Sequence, residues 1–181
     1  MSKRRFRPTD AFVDESVRGP RYLMTSVLVD ARDLIALRLA TAALVEPGKR
    51  LHFHQDLDRT RRVALETFAS MPIRASAVVA IRSHGVTEFQ ARERCLRHIV
   101  EDLQARSVPR LTIESRQDDR DDQRTIARAR TRHPSLVFEH RDAALEPLLW
   151  IADGITWAIG TGGRWAALVE SVVETVTEIR A

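Results

Sequence analysis

Apolar residues recur along this chain with a period of either about two or about 3.6 positions, and the two rhythms mark strands and helices. Phe12–Glu15 reads as a short strand and Tyr22–Val29 as a second. The link between them holds Gly19-Pro20, a turn signal, so the pair reads as an antiparallel hairpin. Asp30–Val45 reads as a helix, with Asp30 as its cap and Leu34, Leu37, Ala40 and Leu44 at helical spacing. Leu51–His54 reads as a third short strand, and Asp58–Ser70 as a helix that turns Ala64, Leu65 and Phe68 inward. Ala75–Ile81 is nearly all apolar, the pattern of a strand buried on both faces. Thr87–Ala105 is a long amphipathic helix with Phe89, Cys95, Leu96, Ile99 and Leu103 as core positions. Leu111–Glu114 is a further strand, followed by an Asp- and Arg-rich segment with a helix from about Asp121. Ser135–Glu139 is the last predicted strand. Leu145–Ile159 is an apolar helix that accepts Pro147 in its first turn, and Trp165–Ile179 is a terminal helix.

Strands alternating with helices imply parallel pairing through right-handed crossovers. With the opening hairpin, the expected fold is an α/β mixed sheet with helices on both faces. At 181 residues the chain reads as one domain, residues 1–181, with 1–9 a loose basic lead-in. An apolar share of 44% against a charged share of 30% excludes a disordered chain. No apolar run is long enough to span a bilayer. A single cysteine, Cys95, fits a reducing, cytoplasmic setting. The formal charge is +4, and Lys3 and Lys49 are the only lysines, so the positive charge is almost all arginine. Guanidinium suits phosphate, but the acids are nearly as numerous, so composition permits nucleic acid without demanding it.

The chemistry concentrates in carboxylates. Asp14 and Glu15 end the first strand, and Glu114 ends a later one. Ligands gather at the carboxyl ends of parallel strands, and neighbouring strands lie about 5 Å apart. Acids at two such ends can therefore share a cation. Asp153 sits in the most apolar helix, with Leu149, Trp150, Thr156 and Trp157 three and four residues away. A lone carboxylate there is costly unless a metal, a helix cap or an arginine accounts for it. Glu15 points to the opposite face of the strand from Asp14, so an arginine contact is its alternative role. The acid run Asp118, Asp119, Asp121, Asp122 reads mainly as a solvated face. His52 and His54 fall on one face of the predicted strand, with Asp56 behind them; without further ligands at fitting spacing, substrate contact or structure outweighs zinc.

Phe12-Val13-Asp14-Glu15-Ser16 resembles the opening "(Y/F)-(I/V)-D-E-S" of the DUF3800 proteins. Trp150-Ile151-Ala152-Asp153-Gly154-Ile155-Thr156-Trp157-Ala158 is similar to that family's later "Q-x-A-D-x-x-x-(Y/W)-A", with Trp150 in place of the glutamine, and Leu51-His52-Phe53 resembles a middle "L-H" element. The resemblance implies an RNase H-like fold and a divalent-metal nuclease site. Its acids carry over as Asp14 and Asp153, with the middle acid placed at Glu114.

The expected function is that of a metal-dependent nuclease, a hydrolase of nucleic-acid phosphodiesters, with Mg²⁺ or Mn²⁺ held by Asp14, Glu114 and Asp153. Glu15, His54 and Asp56 are secondary candidates. Hard cations prefer carboxylate oxygen, which fits an acid set without cysteine. The alternatives are a non-catalytic nucleic-acid or protein-binding module on the same fold, and a PIN-like domain, whose sheet is parallel throughout. DNA versus RNA, and assembly into a homo-oligomer, are left open.

Overall fold

The computed structural model describes residues 5–116 and 119–180. A six-stranded sheet forms its centre. In chain order the elements are β1 (Asp10–Arg18), β2 (Arg21–Val29), α1 (Leu34–Ala42), α2 (Asp58–Ser70), β3 (Ile73–Ile81), α3 (Glu88–Ala105), β4 (Arg110–Glu114), α4 (Asp119–Ala129), β5 (Val137–Arg141), α5 (Pro147–Thr161), α6 (Gly163–Val169) and β6 (Val173–Arg180). The spatial order is β5-β4-β1-β2-β3-β6. β1, β2 and β3 pair antiparallel, whereas β4 joins β1, β5 joins β4 and β6 joins β3 in parallel. This is the expected mixed sheet with an antiparallel hairpin at its start, and it excludes the all-parallel alternative.

Strand alternation explains the layers. On β1, Phe12 joins one hydrophobic core with Val27, Leu37, Leu65, Phe68, Trp157 and Trp165, under α1, α2, α5 and α6. Ala11 and Val13 join the other with Met24, Leu96, Ile99 and Ile126, under α3 and α4. Both faces are thus covered by helices. The hairpin turn places Gly19 at φ 58°, a left-handed conformation that glycine enters without a side-chain clash. Thr87 and Gln90 form a reciprocal capping box at the start of α3. Pro147 opens α5 as expected, with Glu146 as its N-cap accepting from the Leu148 N–H.

Four sequence expectations are corrected. Leu51–His54 is a turn, not a strand: Gln55 and Asp56 both donate backbone N–H groups to the His52 carbonyl, at 2.8 and 2.9 Å. Leu51 and Phe53 are apolar because they anchor this loop in the core, and their alternation imitated a strand. Residues 165–179 are not one helix. α6 ends at Val169, and the β-branched residues Val173, Thr175, Val176 and Thr177 enter the sheet in β6. Phe89, in the first turn of α3, is exposed. Asp30 does not cap α1; Asp33 holds that position, and the Asp30 carboxylate pairs with Arg32.

Candidate functional site

β1 carries two adjacent acids to opposite sides of the sheet. Asp14 has the parity of Phe12 and faces α5; Glu15 has the parity of Val13 and faces α3. β4 runs parallel beside β1, pairing Phe12 with Thr112 and Val13 with Ile113. Glu114, one residue beyond, therefore emerges on the Asp14 side. α5 packs across β1 and β2 and brings Asp153 to that face. The Thr156 hydroxyl, which donates to the Ala152 carbonyl at 2.7 Å, lies 3.5 Å from the Asp14 carbonyl, so this turn of α5 sits against the end of β1.

Loop 51–57 covers Asp153. The Phe53 N–H donates to Asp153 Oδ2 at 3.3 Å, and the Phe53 ring lies 5.9 Å from Trp157, centroid to centroid. Gly154 makes this approach feasible: a Cβ there would meet Phe53 ring atoms at 2.5 and 2.7 Å. Asp153 lies mid-helix, so it is not a cap. Asp56 closes the loop by accepting the His52 N–H at 2.7 Å. His54 is exposed, and its carbonyl accepts from Arg61. The His-x-His pair thus sits on a turn rather than on one face of a strand, yet both imidazoles are near enough to Asp153 to affect its ionisation.

The three predicted acids share one electrostatic environment. Burial pushes the Asp14 carboxyl well above the usual range, and the charges of Asp153, Glu15 and Glu114 push it further; Arg116 opposes them. Asp153 is also raised, first by burial, with the Phe53 N–H, His52 and His54 pulling it back and Glu114 adding to the rise. Arg116 follows β4 and stands among the acids. Its Nη2 donates to Glu114 Oε2 at 3.1 Å and to Asp14 Oδ1 at 3.4 Å, while its Nη1 reaches Glu15 Oε1 at 2.8 Å. Arg50 approaches the other oxygen of Glu114 at 3.6 Å. Asp14 Oδ2 accepts no hydrogen bond from any described residue.

On the opposite face two buried acids share one arginine; Glu15 Oε2 has no hydrogen-bond partner among the described residues, and burial raises the Glu15 carboxyl against the pull of Arg92 and Arg116. Arg92 of α3 pairs with Glu15 and donates to both oxygens of Asp122, at 2.8 and 2.7 Å. It also donates to the Tyr22 hydroxyl at 3.2 Å. His140 of β5 lies 3.1 Å from Asp122 Oδ2. Burial opposes the Arg92 charge, but the Asp122 hydrogen bonds and the Glu15 charge hold its pKa above the ordinary range. Glu15 therefore has the arginine contact that was its alternative role. Asp122 leaves the solvated face that the acid run suggested, and Asp118 lies outside the described residues. Nothing in the sequence singled out Arg92, Arg116 or His140; an arginine within an amphipathic helix reads as solvated.

Among the described residues, Asp119, Asp122 and His140 form a group whose potential metal-ligand atoms lie within 4.8 Å of one another. Asp14, Glu114 and Asp153 are not gathered so tightly, and Arg116 stands between two of them. The two sets differ in what their oxygens already do. Asp122 is filled by Arg92, and Asp119 accepts from the Arg116 N–H and the Ser115 hydroxyl, each at 2.8 Å. The Asp14 set keeps unspent oxygen and excess negative charge, and so fits a hard divalent cation better.

No family model matches this chain, and no curated protein does. Among solved structures, a mutant of Bst-RNase HIII is similar, with a TM-score of 0.52 and 11% identity over 86% of this chain and 52% of that one. The chain thus spans about half the length of that protein. The likeness shows an RNase H-like fold. No helix among the described residues is long and apolar enough to cross a membrane.

Proposed function

We propose that this chain is a divalent-metal-dependent nuclease, a hydrolase of phosphodiester bonds in nucleic acid, with Asp14, Glu114 and Asp153 as metal ligands. The observation that carries the reading is the convergence of these acids, from β1, β4 and α5, on one face of the sheet, where their mutual repulsion and burial raise Asp14. The fold shared with an RNase HIII agrees with it, as does the resemblance to DUF3800 proteins, with which we group the chain. We take residues 1–181 as one such domain, and place it in the cytoplasm on its single, buried cysteine.

Mg²⁺ or Mn²⁺ bound there supplies an activated water and charge stabilisation at the phosphate. The chain's own residues prepare for this. Asp14 is fixed by the Glu15 N–H, which donates to Oδ1 at 2.7 Å. Asp153 is oriented by the Phe53 N–H. α5 and loop 51–57 exclude water from the apolar side, which strengthens each charge–charge interaction. The paired Glu15 stays out of the ligand set and anchors β1 to α3.

The test is Mn²⁺-dependent cleavage of single-stranded, duplex and hybrid substrates. Cleavage is expected in the wild type and lost in Asp14→Asn and Asp153→Asn. Equal activity in those variants removes the assignment.

A further inference from the structure

Arg116 is the one feature of the site that a metal-binding role for the acids does not account for. Its guanidinium contacts three carboxylates from two strands and both faces: Asp14 at 3.4 Å, Glu15 at 2.8 Å and Glu114 at 3.1 Å. Its side chain is nevertheless 42% exposed, against 7% for Asp14 and 3% for Glu15. It therefore sits at the mouth of the cluster with an open path to solvent. Glu15 keeps Arg92 when Arg116 leaves. Asp14 and Glu114 do not share that second partner; Glu114 has only the longer approach of Arg50, at 3.6 Å.

Two chemical facts follow. A guanidinium and a divalent cation compete for the same carboxylate oxygens and repel each other. A guanidinium also pairs with phosphate in a two-pronged, charge-assisted geometry, so a nucleic-acid backbone at the mouth offers it another partner.

We propose that Arg116 is a phosphate-responsive counter-ion: it offsets part of the charge of Asp14 and Glu114 in the free protein and moves to a backbone phosphate when nucleic acid arrives, so that nucleic acid and divalent metal favour each other's binding. The inference rests on the metal-site reading above. It makes Arg116 a positioning residue for the metal and a binding residue for the substrate. Coupling of this kind is reciprocal: the factor by which metal tightens nucleic acid equals the factor by which nucleic acid tightens metal.

The experiment measures Mn²⁺ affinity by electron paramagnetic resonance of the free ion, and affinity for a short phosphorothioate oligonucleotide by fluorescence anisotropy with and without Mn²⁺. The proteins are wild type, Arg116→Ala, Arg116→Gln, Arg116→Lys and Asp14→Asn. Removing one nearby positive charge is expected to tighten Mn²⁺ by about tenfold or more in the Ala and Gln variants without nucleic acid. The Gln variant keeps the side chain's bulk and serves if the Ala variant does not fold. The Lys variant keeps the charge and stays near wild type. Mn²⁺ tightens oligonucleotide binding in the wild type, and the coupling falls towards one in Ala and Gln. If the neutral variants bind Mn²⁺ no tighter than wild type while Asp14→Asn loses it, the counter-ion role is overturned and the metal site stands. If Mn²⁺ binds none of the proteins, or binds Asp14→Asn as well as wild type, the metal site itself falls, and the counter-ion role with it.

Discussion

Asp14 and Glu15 are neighbours on one strand, both are buried and both are reached by Arg116, yet the elements they face differ. Glu15 opens onto α3, where Arg92 joins it to Asp122 and His140 round one buried guanidinium, although burial still raises the Glu15 carboxyl against the pull of Arg92 and Arg116. Asp14 opens onto α5, where Asp153 and Glu114 add charge of its own sign and one half-exposed arginine is shared among several acids. A buried network in which a guanidinium is hydrogen-bonded between its acids specifies how elements pack. A buried cluster with charge left over is held in the fold at a cost, and that is the signature of a site. The difference between the two faces separates structural acids from functional ones better than closeness does, since the tightest carboxylate–histidine group is on the paired side.

The largest expected effect comes from breaking the paired side. Arg92→Ala leaves Glu15 and Asp122 buried without their cation and is expected to destabilise the fold by about 3–5 kcal/mol, read from urea unfolding. A loss below about 1 kcal/mol, the level of an exposed ion pair, contradicts a structural role for Arg92. Metal sharpens the other side. At Mn²⁺ concentrations a hundredfold above Kd, ligand binding adds about 2.7 kcal/mol to stability. This gain is expected in the wild type, lost in Asp14→Asn and retained in His140→Ala; chelation by EDTA reverses it.

Gly154→Ala tests how Asp153 is positioned. The new Cβ collides with Phe53, and overpacking of this kind costs about 1–3 kcal/mol. Because the Phe53 N–H orients Asp153, Mn²⁺ affinity is expected to fall with stability. Unchanged affinity in a folded variant separates loop 51–57 from the site.

The smallest effects are in the pH dependence, where Asp14 and Asp122 have opposite signs and Glu15, raised by burial against Arg92 and Arg116, follows Asp14. The Asp14 carboxyl is raised by burial and by neighbouring acids. Relative to the unfolded chain, its contribution is most favourable below the ordinary aspartate pKa of about 3.9 and is lost as pH rises through its higher folded value. Without metal, Asp14→Asn is therefore expected to melt above the wild type at neutral pH, with the difference closing in acid. The Asp122 carboxyl is lowered: burial opposes this, but the hydrogen bonds from Arg92 and His140 prevail. Its contribution is present above about pH 3.9 and is lost as pH falls through the lower folded value. Asp122→Asn is expected to melt below the wild type at neutral pH. Melting curves of both variants across acid and neutral pH check the signs; the same sign in both erases the contrast between the faces.

Much of this contrast is legible in the chain. A period of two puts Asp14 and Glu15 on opposite faces, and the parallel placement of Leu111–Glu114 follows from strand–helix order. The apolar surroundings of Asp153 mark it as exceptional. What escapes sequence reading is tertiary. Leu51 and Phe53 alternate as a strand would, but the pattern arises from a loop pinned into the core through the space at Gly154. Trp165, Leu168, Val169 and Val172 follow helical spacing, while the β-branched residues after them join a sheet edge that only the fold provides. Arg92 and Asp122 lie on different helices, 30 residues apart in sequence, and no local pattern records that they pair. Arg116 is one arginine in a charged stretch until β4 delivers it to the acids.

The most direct test of the metal site is the anomalous signal from Mn²⁺-soaked crystals. A peak bound by Asp14 and Asp153 is expected, with Glu114 beside it and Arg116 moved away, and no peak at Asp119, Asp122 and His140. A peak at the Asp119–Asp122–His140 group, or none at Asp14 under saturating Mn²⁺, contradicts it.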